Sequence, residues 1–195
     1  MSRWNLLYCN YNDEIGDAHM GMITTYTGKR FDPINPNKNM IDIHDIAHAL
    51  SLTCRGNGHV KNFFSVGQHC VYCAREAEAR GYSRRVILGC LLHDASEAYM
   101  SDVPRPFKIM LPEYQRLEDK LIDLIYEHFL GSVLTEEEQA KVKEIDDDIL
   151  YFDMIELLNV QQEGQAPKMH IEVSYSVRPF EEIENAYIEI FERYI

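Results

Sequence analysis

The stretch that most restricts how this chain can fold is Leu88–Lys108, LGCLLHDASEAYMSDVPRPFK. Its apolar run, with Leu88, Leu91 and Leu92, delivers an adjacent His93–Asp94 pair into territory that the pattern marks as buried. A carboxylate and an imidazole taken out of water must be paired, protonated or bound to a cation. Other elements therefore have to converge on this point. Glu97 follows at helical spacing and shares the face of His93. Imidazole and carboxylate both ligate divalent ions, but an isolated His–Asp dipeptide is more often a buried ion pair. The rest of the chain has to supply further ligands. Asp102 follows on a short polar segment, and Pro104 and Pro106 are expected to end the helix.

The surrounding pattern is helical. Ile43, Ile46, Ala47 and Leu50 predict a helix over about residues 43–54. His44 and His48, one turn apart, flank its apolar stripe and read as surface or boundary residues. Ser65 is a suitable N-cap, with Gln68 at the capping-box position, for a helix to about Arg80. The inward face of that helix carries Val66, His69, Cys70 and Cys73. Gly81 closes it, and Ser83 caps a helix expected to run through the central stretch to about Met100. Pro112 starts an amphipathic helix with Tyr114, Leu117, Leu121, Leu124 and Ile125 on one stripe, ending near Gly131. Thr135, with Glu138 three residues on, starts another that extends to about Val160. Residues 169–177, MHIEVSYSV, predict a strand or an extended strap, and Phe180–Tyr194 a last amphipathic helix. Residues 1–40 read as irregular, with a strand-like piece at Gly21–Tyr26 and turns over Phe31–Asn39.

Helical phase selects among the consecutive acids Asp146, Asp147 and Asp148. At about 100° per residue, Val142, Ile149, Leu150, Leu157 and Val160 all fall within roughly 60° of Asp146. Asp147 and Asp148 point away and read as a solvated acidic run. Asp146 therefore looks inward, and Asp153 shares its face two turns later. An inward Asp needs a partner, a proton or a metal.

The 195 residues suffice for one domain with a sizeable core. A net charge of -13 argues against a nucleic-acid polymer or an anionic membrane as partner, while leaving room for a small phosphorylated ligand held by local cations. The N-terminus lacks the pattern of a signal peptide and no apolar run approaches about 18 residues. A cytoplasmic location is expected, or the host cytoplasm for a phage gene. The five cysteines, Cys9, Cys54, Cys70, Cys73 and Cys90, are an odd number and are expected to be reduced. Cys70 and Cys73 form a CxxC, but with no second pair they read as packed thiols rather than a zinc site.

Successive helices thus offer His69, then His93–Asp94, then Asp146. This H…HD…D order resembles the HD-domain metal-dependent phosphohydrolases over about residues 41–158. The segments HALSLTCR, FFSVGQH, LLHDASEAYMSDVPRPFK and PEYQRLEDKL are similar to the phage and bacterial branch containing 5'-deoxynucleotidases and deoxynucleoside triphosphohydrolases. The resemblance implies an all-α, single-domain HD bundle. Residues 1–40 would form an irregular extension, 41–160 the metal-binding helical core, and 161–195 a strap and helix. It implies that His69, His93, Asp94 and Asp146 hold one divalent transition metal (Co, Mn, Fe, Ni or Zn), with Mg accompanying the substrate phosphates. Glu97 matches the family's HDxxE acid, which handles the water or the leaving oxygen. Arg55 matches its phosphate-contacting arginine, and Asp102 the acid of its GD-x-P segment, here preceded by Ser101. His59 and Lys61 are further candidates for substrate contact, with Arg105 and Lys108 behind them. The implied activity is hydrolysis of deoxynucleotides by a homo-oligomer. A non-catalytic nucleotide or metal sensor of the same fold is the alternative. Two departures stand out: Gly67-Gln68 precedes the first ligand where the deoxynucleotidases commonly have Ala-Glu, and the Arg55–Phe64 loop differs.

Overall fold

The computed structural model describes residues 21–195. It is predominantly α-helical: α1 (Ile43–Leu52), α2 (Val66–Ala79), α3 (Arg84–Leu92), α4 (Glu97–Met100), α5 (Arg105–Lys108), α6 (Pro112–Leu130), α7 (Glu136–Glu156) and α8 (Phe180–Tyr194). Two residues each of β1 (Ile23–Thr24) and β2 (Arg30–Phe31) pair antiparallel as a small hairpin. Among the described residues, no helix is long and apolar enough to cross a membrane.

The caps fall where the side chains dictate. Ser65 accepts from the Gln68 N–H at the start of α2, and Ser83 from the Val86 N–H at the start of α3. Thr135 and Glu138 form a reciprocal capping box on α7. Gly131 ends α6 at φ 80°, a left-handed conformation that glycine adopts without steric cost.

Helix α2 lies at the centre, packed against α1, α3, α7 and α8. It is buried nearly all round, from Val66 to Ala74 and again at Glu76 and Ala77, as expected of a helix with neighbours on every side. Gly67 makes this possible, because a Cβ there would lie 3.0 Å from the Ser51 backbone N and 3.1 Å from the Leu50 carbonyl carbon. Helix α8 covers α1, α2 and α3, and its fully buried Tyr187 donates to the Leu91 carbonyl at 2.6 Å.

Two local expectations are corrected and two are made specific. The helix predicted from Ser83 to Met100 breaks at residues 93–96. There the bonds tighten to i→i−3, with Ala95 N–H donating to Leu92 O and Glu97 N–H to Asp94 O. Pro104 and Pro106 do not only end a helix. Pro104 caps α5 and Pro106 lies in its first turn, where a missing N–H costs nothing. Of the two forms expected for residues 169–177, the structure takes the strap. Their backbone bonds to side chains instead of a ladder, with Glu76 accepting from the His170 and Ile171 N–H groups and Tyr72 Oη from the Ser174 N–H. The turns expected over Phe31–Asn39 begin with a packed residue: Phe31 is fully buried and stacks on Tyr99 at 4.0 Å. The hairpin is thus fastened over α4, and Thr27 binds Asp45 of α1 through both its N–H and its hydroxyl.

Ser101 ends α4 at φ 72°, ψ 154°, a region that side-chain-bearing residues rarely adopt. Such a residue costs about 1–3 kcal/mol, and glycine returns about 0.5–1 kcal/mol of that as chain entropy. Ser101→Gly is therefore expected to stabilise the protein by about 1 kcal/mol, a rise in melting temperature of about 2–4 °C, measurable by thermal unfolding.

Candidate metal centre and cleft

Three helices aim side chains at one point. His69 of α2 is completely buried, and its Nε2 lies 3.0 Å from Asp146 Oδ1 of α7. His93, just past α3, places Nε2 3.6 Å from that oxygen and 3.3 Å from Asp94 Oδ2. The His93 ring is fixed from behind, since Nδ1–H donates to the Cys90 carbonyl at 2.8 Å. Its buried Nε2 then has no hydrogen-bond partner among the described residues, although two carboxylates face it. Carboxylates are acceptors only, so a neutral Nε2 lone pair among them calls for a cation. Ligand atoms about 2.0–2.2 Å from one ion sit about 3.0–3.5 Å apart. The separations of 3.0, 3.3 and 3.6 Å lie close to that spacing, so the donor set of His69, His93, Asp94 and Asp146 fits a divalent metal.

Electrostatics agree. Burial pushes the Asp146 carboxyl up, but the hydrogen bond with His69 and the proximity of both imidazoles overcome this and hold it far below the usual carboxylate range. Burial also opposes ionisation of Asp94, and again His93 and then Arg55 prevail, keeping it ionised. The same carboxylates hold His93 well above its ordinary value against the effect of burial.

Two thiols border the cluster. Cys73 Sγ lies 3.4 Å from His69 Nε2, and Cys70 falls within ligand distance of His93 and Asp94. Burial raises both thiols, Cys73 strongly. Neutral thiols are poor ligands beside ionised carboxylates, so the oxygen donors are the better partners for an ion. Cys54, Cys70, Cys73 and Cys90 are free, and Cys9 lies outside the described residues.

Asp94 and Asp146 face a cleft of about 390 Å³. Arg55, Glu97, Asp102, Arg105 and Lys108 line it beside Asp94 and Asp146, and Val60, Val103, Leu150, Leu157 and Leu158 give it an apolar wall. Arg55 stands at the base of a loop closed by a bridge between Cys54 and Ser65. Its guanidinium contacts Asp94 at 3.4 Å and Asp153 at 3.3 Å. Next to it, Gly56, Asn57 and Gly58 take consecutive left-handed conformations, which aim the Gly56 N–H at Asp102 Oδ2, 3.3 Å away. Glu97 is buried, its Oε2 has no hydrogen-bond partner among the described residues, and Lys108 Nζ stands 3.9 Å from Oε1. Burial, with Asp94 and Asp102 nearby, pushes the Glu97 carboxyl up to about 9. In the metal-free chain this shift favours the protonated acid.

The structure does not bring every candidate to the cleft. His59 and Lys61 are exposed and do not line it. The Lys61 N–H instead ties the loop to the Leu157 carbonyl at the end of α7. Arg105 and Lys108, the weaker candidates in the sequence, do line the cleft, and Lys108 is held by Glu118 at 2.8 Å. Asp147 pairs with exposed Lys143. Asp148 is not simply solvated but binds Arg80 at 2.7 Å. His44 is exposed, and half-buried His48 pairs with Glu184. Gln68 does not complete a capping box, because its amide donates to the Ser174 carbonyl of the strap. Asp153 had the right helical phase, but its tie to Tyr175, in the strap, left no local signal.

No protein-family model matches the chain. It is 41% identical over 110 residues to the uncharacterized protein YfdR of Escherichia coli, covering 56% of this chain and 59% of that protein. It is 33% identical over 127 residues to an uncharacterized protein of Rhodobacter capsulatus, covering 62% and 64%. The chain thus matches about three fifths of the length of these curated relatives.

Proposed function

We propose that the chain is an HD-type, metal-dependent phosphohydrolase acting on deoxynucleotides. The observation that supports this most is the convergence of His69, His93, Asp94 and Asp146, with the two carboxylates lining a cleft that also holds Arg55, Glu97 and Asp102, and with the two histidines behind them. A divalent ion bound by those four would supply Lewis-acid activation of water and neutralise phosphoryl oxygens. Arg55, Arg105 and Lys108 add positive charge for phosphate, and the planar guanidinium of Arg55 suits bidentate contact. Burial works against the charge on Arg55, but Asp153 and Asp94 more than compensate, so the group stays a cation. The apolar wall suits a base or sugar face, and Asp102, fixed by the Gly56 N–H, offers an acceptor to a sugar hydroxyl.

Hydrolysis adds water across a P–O ester bond and returns a proton to the departing sugar oxygen. Glu97, whose carboxyl is pushed by burial toward its protonated form, is suited to that donation. The test is a hydrolysis panel with Mn, Co, Mg or Zn against each deoxynucleoside mono- and triphosphate. Orthophosphate from monophosphates identifies a 5'-nucleotidase, and tripolyphosphate from triphosphates a triphosphohydrolase. Absence of turnover in metal-loaded protein would replace this reading with the non-catalytic sensor.

A further inference from the structure

The two histidines of the centre are anchored differently. His93 leans on a backbone carbonyl, which mutation of a side chain cannot remove. The Nδ1 of His69 faces a carboxylate instead: Asp153 Oδ2 is 3.2 Å away, off the line of a straight hydrogen bond. Asp153 is only 3% exposed. The same oxygen takes Arg55 Nη2 at 3.3 Å, and the other carboxylate oxygen accepts from Tyr175 Oη at 3.0 Å. One buried acid thus touches a ligand ring, the cleft arginine and a residue of the strap.

The strap holds Tyr175 firmly. Asn62 donates to the Tyr175 carbonyl at 2.8 Å, and the ring stacks on Phe64 at 5.4 Å. One residue earlier, the Ser174 carbonyl accepts from Gln68 and from Tyr72. Gln68 and Tyr72 belong to α2, the helix that carries His69. A closed circuit results: α2 fixes the strap, the strap fixes Tyr175, Tyr175 fixes Asp153, and Asp153 faces the His69 ring.

We propose that Asp153 and Tyr175 are positioning residues that set the His69 ring and the Arg55 guanidinium for metal and phosphate. The inference rests on the metal-centre reading above. A carboxylate behind a ligating imidazole fixes its tautomer and raises its basicity, and losing it weakens metal binding about 10–100-fold. Were Asp153 only a structural partner of Arg55, its loss would lower stability and leave the metal affinity unchanged.

The experiment titrates the metal-free full chain with Co²⁺, reading both affinity and the visible absorption of the bound ion, with thermal unfolding of the metal-free protein in parallel. Asp153→Asn is expected to weaken Co²⁺ binding about 10–100-fold and to change the absorption band. Tyr175→Phe, which keeps the ring on Phe64, is expected to act in the same direction by about threefold or more. Unchanged affinity and absorption in both variants, with or without a lower melting temperature, would overturn the proposal. If Asp153→Asn does not fold, Tyr175→Phe decides alone: wild-type affinity and absorption there overturn it. Failure of the wild-type protein to bind Co²⁺ would instead remove the metal reading itself, and this inference with it.

Discussion

Asp146→Asn is expected to abolish metal binding, whereas Asp147→Asn leaves it unchanged. The substitutions are adjacent and chemically identical, so net charge and helix propensity cancel in the comparison. Only direction differs. Asp146 Oδ1 stands 3.0 Å from His69 Nε2 and 3.6 Å from His93 Nε2, while Asp147 faces Lys143 on the exposed side of α7. Partners one shell removed from a metal are worth about 10–100-fold in affinity, so loss of a direct carboxylate ligand should exceed 100-fold. Isothermal titration with Mn²⁺ or Co²⁺ measures it, and phosphohydrolase activity should fall in step. Retention of metal by Asp146→Asn, or its loss from Asp147→Asn, would show that the ion is not held where these helices converge.

Glu97→Gln is expected to separate activity from stability. Positioned acid–base groups contribute about 10²–10⁴-fold to rate, and the amide cannot transfer the proton. Turnover should drop by that factor while metal binding persists. Stability should move the other way. Burial and the carboxylates of Asp94 and Asp102 raise the folded carboxyl from 4.5 to about 9, so the folded chain binds a proton that the unfolded chain releases between those values. The group's contribution to stability is most favourable below about pH 4.5 and declines as pH rises toward 9. At pH 7 the amide removes a penalty of up to about 3 kcal/mol, and metal-free Glu97→Gln should melt higher than wild type. The same sign governs rate, since proton donation by Glu97 is available below its pKa and fades above it. Glu97→Gln with wild-type turnover would end the assignment. A lower melting temperature at pH 7 would show that the carboxyl is not destabilising where it stands.

How much of this was legible depended on whether the cause was local. Ser65, Ser83 and Thr135 marked helix starts because a cap acts within three residues of itself. Asp146 could be chosen from three neighbours because phase is a property of one helix. The break at residues 93–96 could not be read, since the apolar spacing continues through it while the backbone tightens to turn Asp94 and Glu97 toward the cleft. His59 and Lys61 lie outside the cleft lining for a related reason. Charge near a site in sequence says nothing of direction, and the left-handed run at Gly56–Gly58 sends that loop to the end of α7. Arg105 and Lys108 reach the cleft because the prolines begin a helix as well as end one. Phe31 under Tyr99, and Tyr175 against Asp153, depend on partners far along the chain, which no periodicity encodes.

The buried thiols behind the histidines give the protein an internal clock. Cys70, Cys73 and Cys90 are shielded from water, and burial holds their sulfurs protonated. A thiol-modifying reagent attacks the thiolate and needs access, so these three sulfurs can react only while the helices around them are parted. Their rate of modification therefore counts excursions of the core. An ion clamped between α2, α3 and α7 would slow that count from within, without touching the sulfurs themselves.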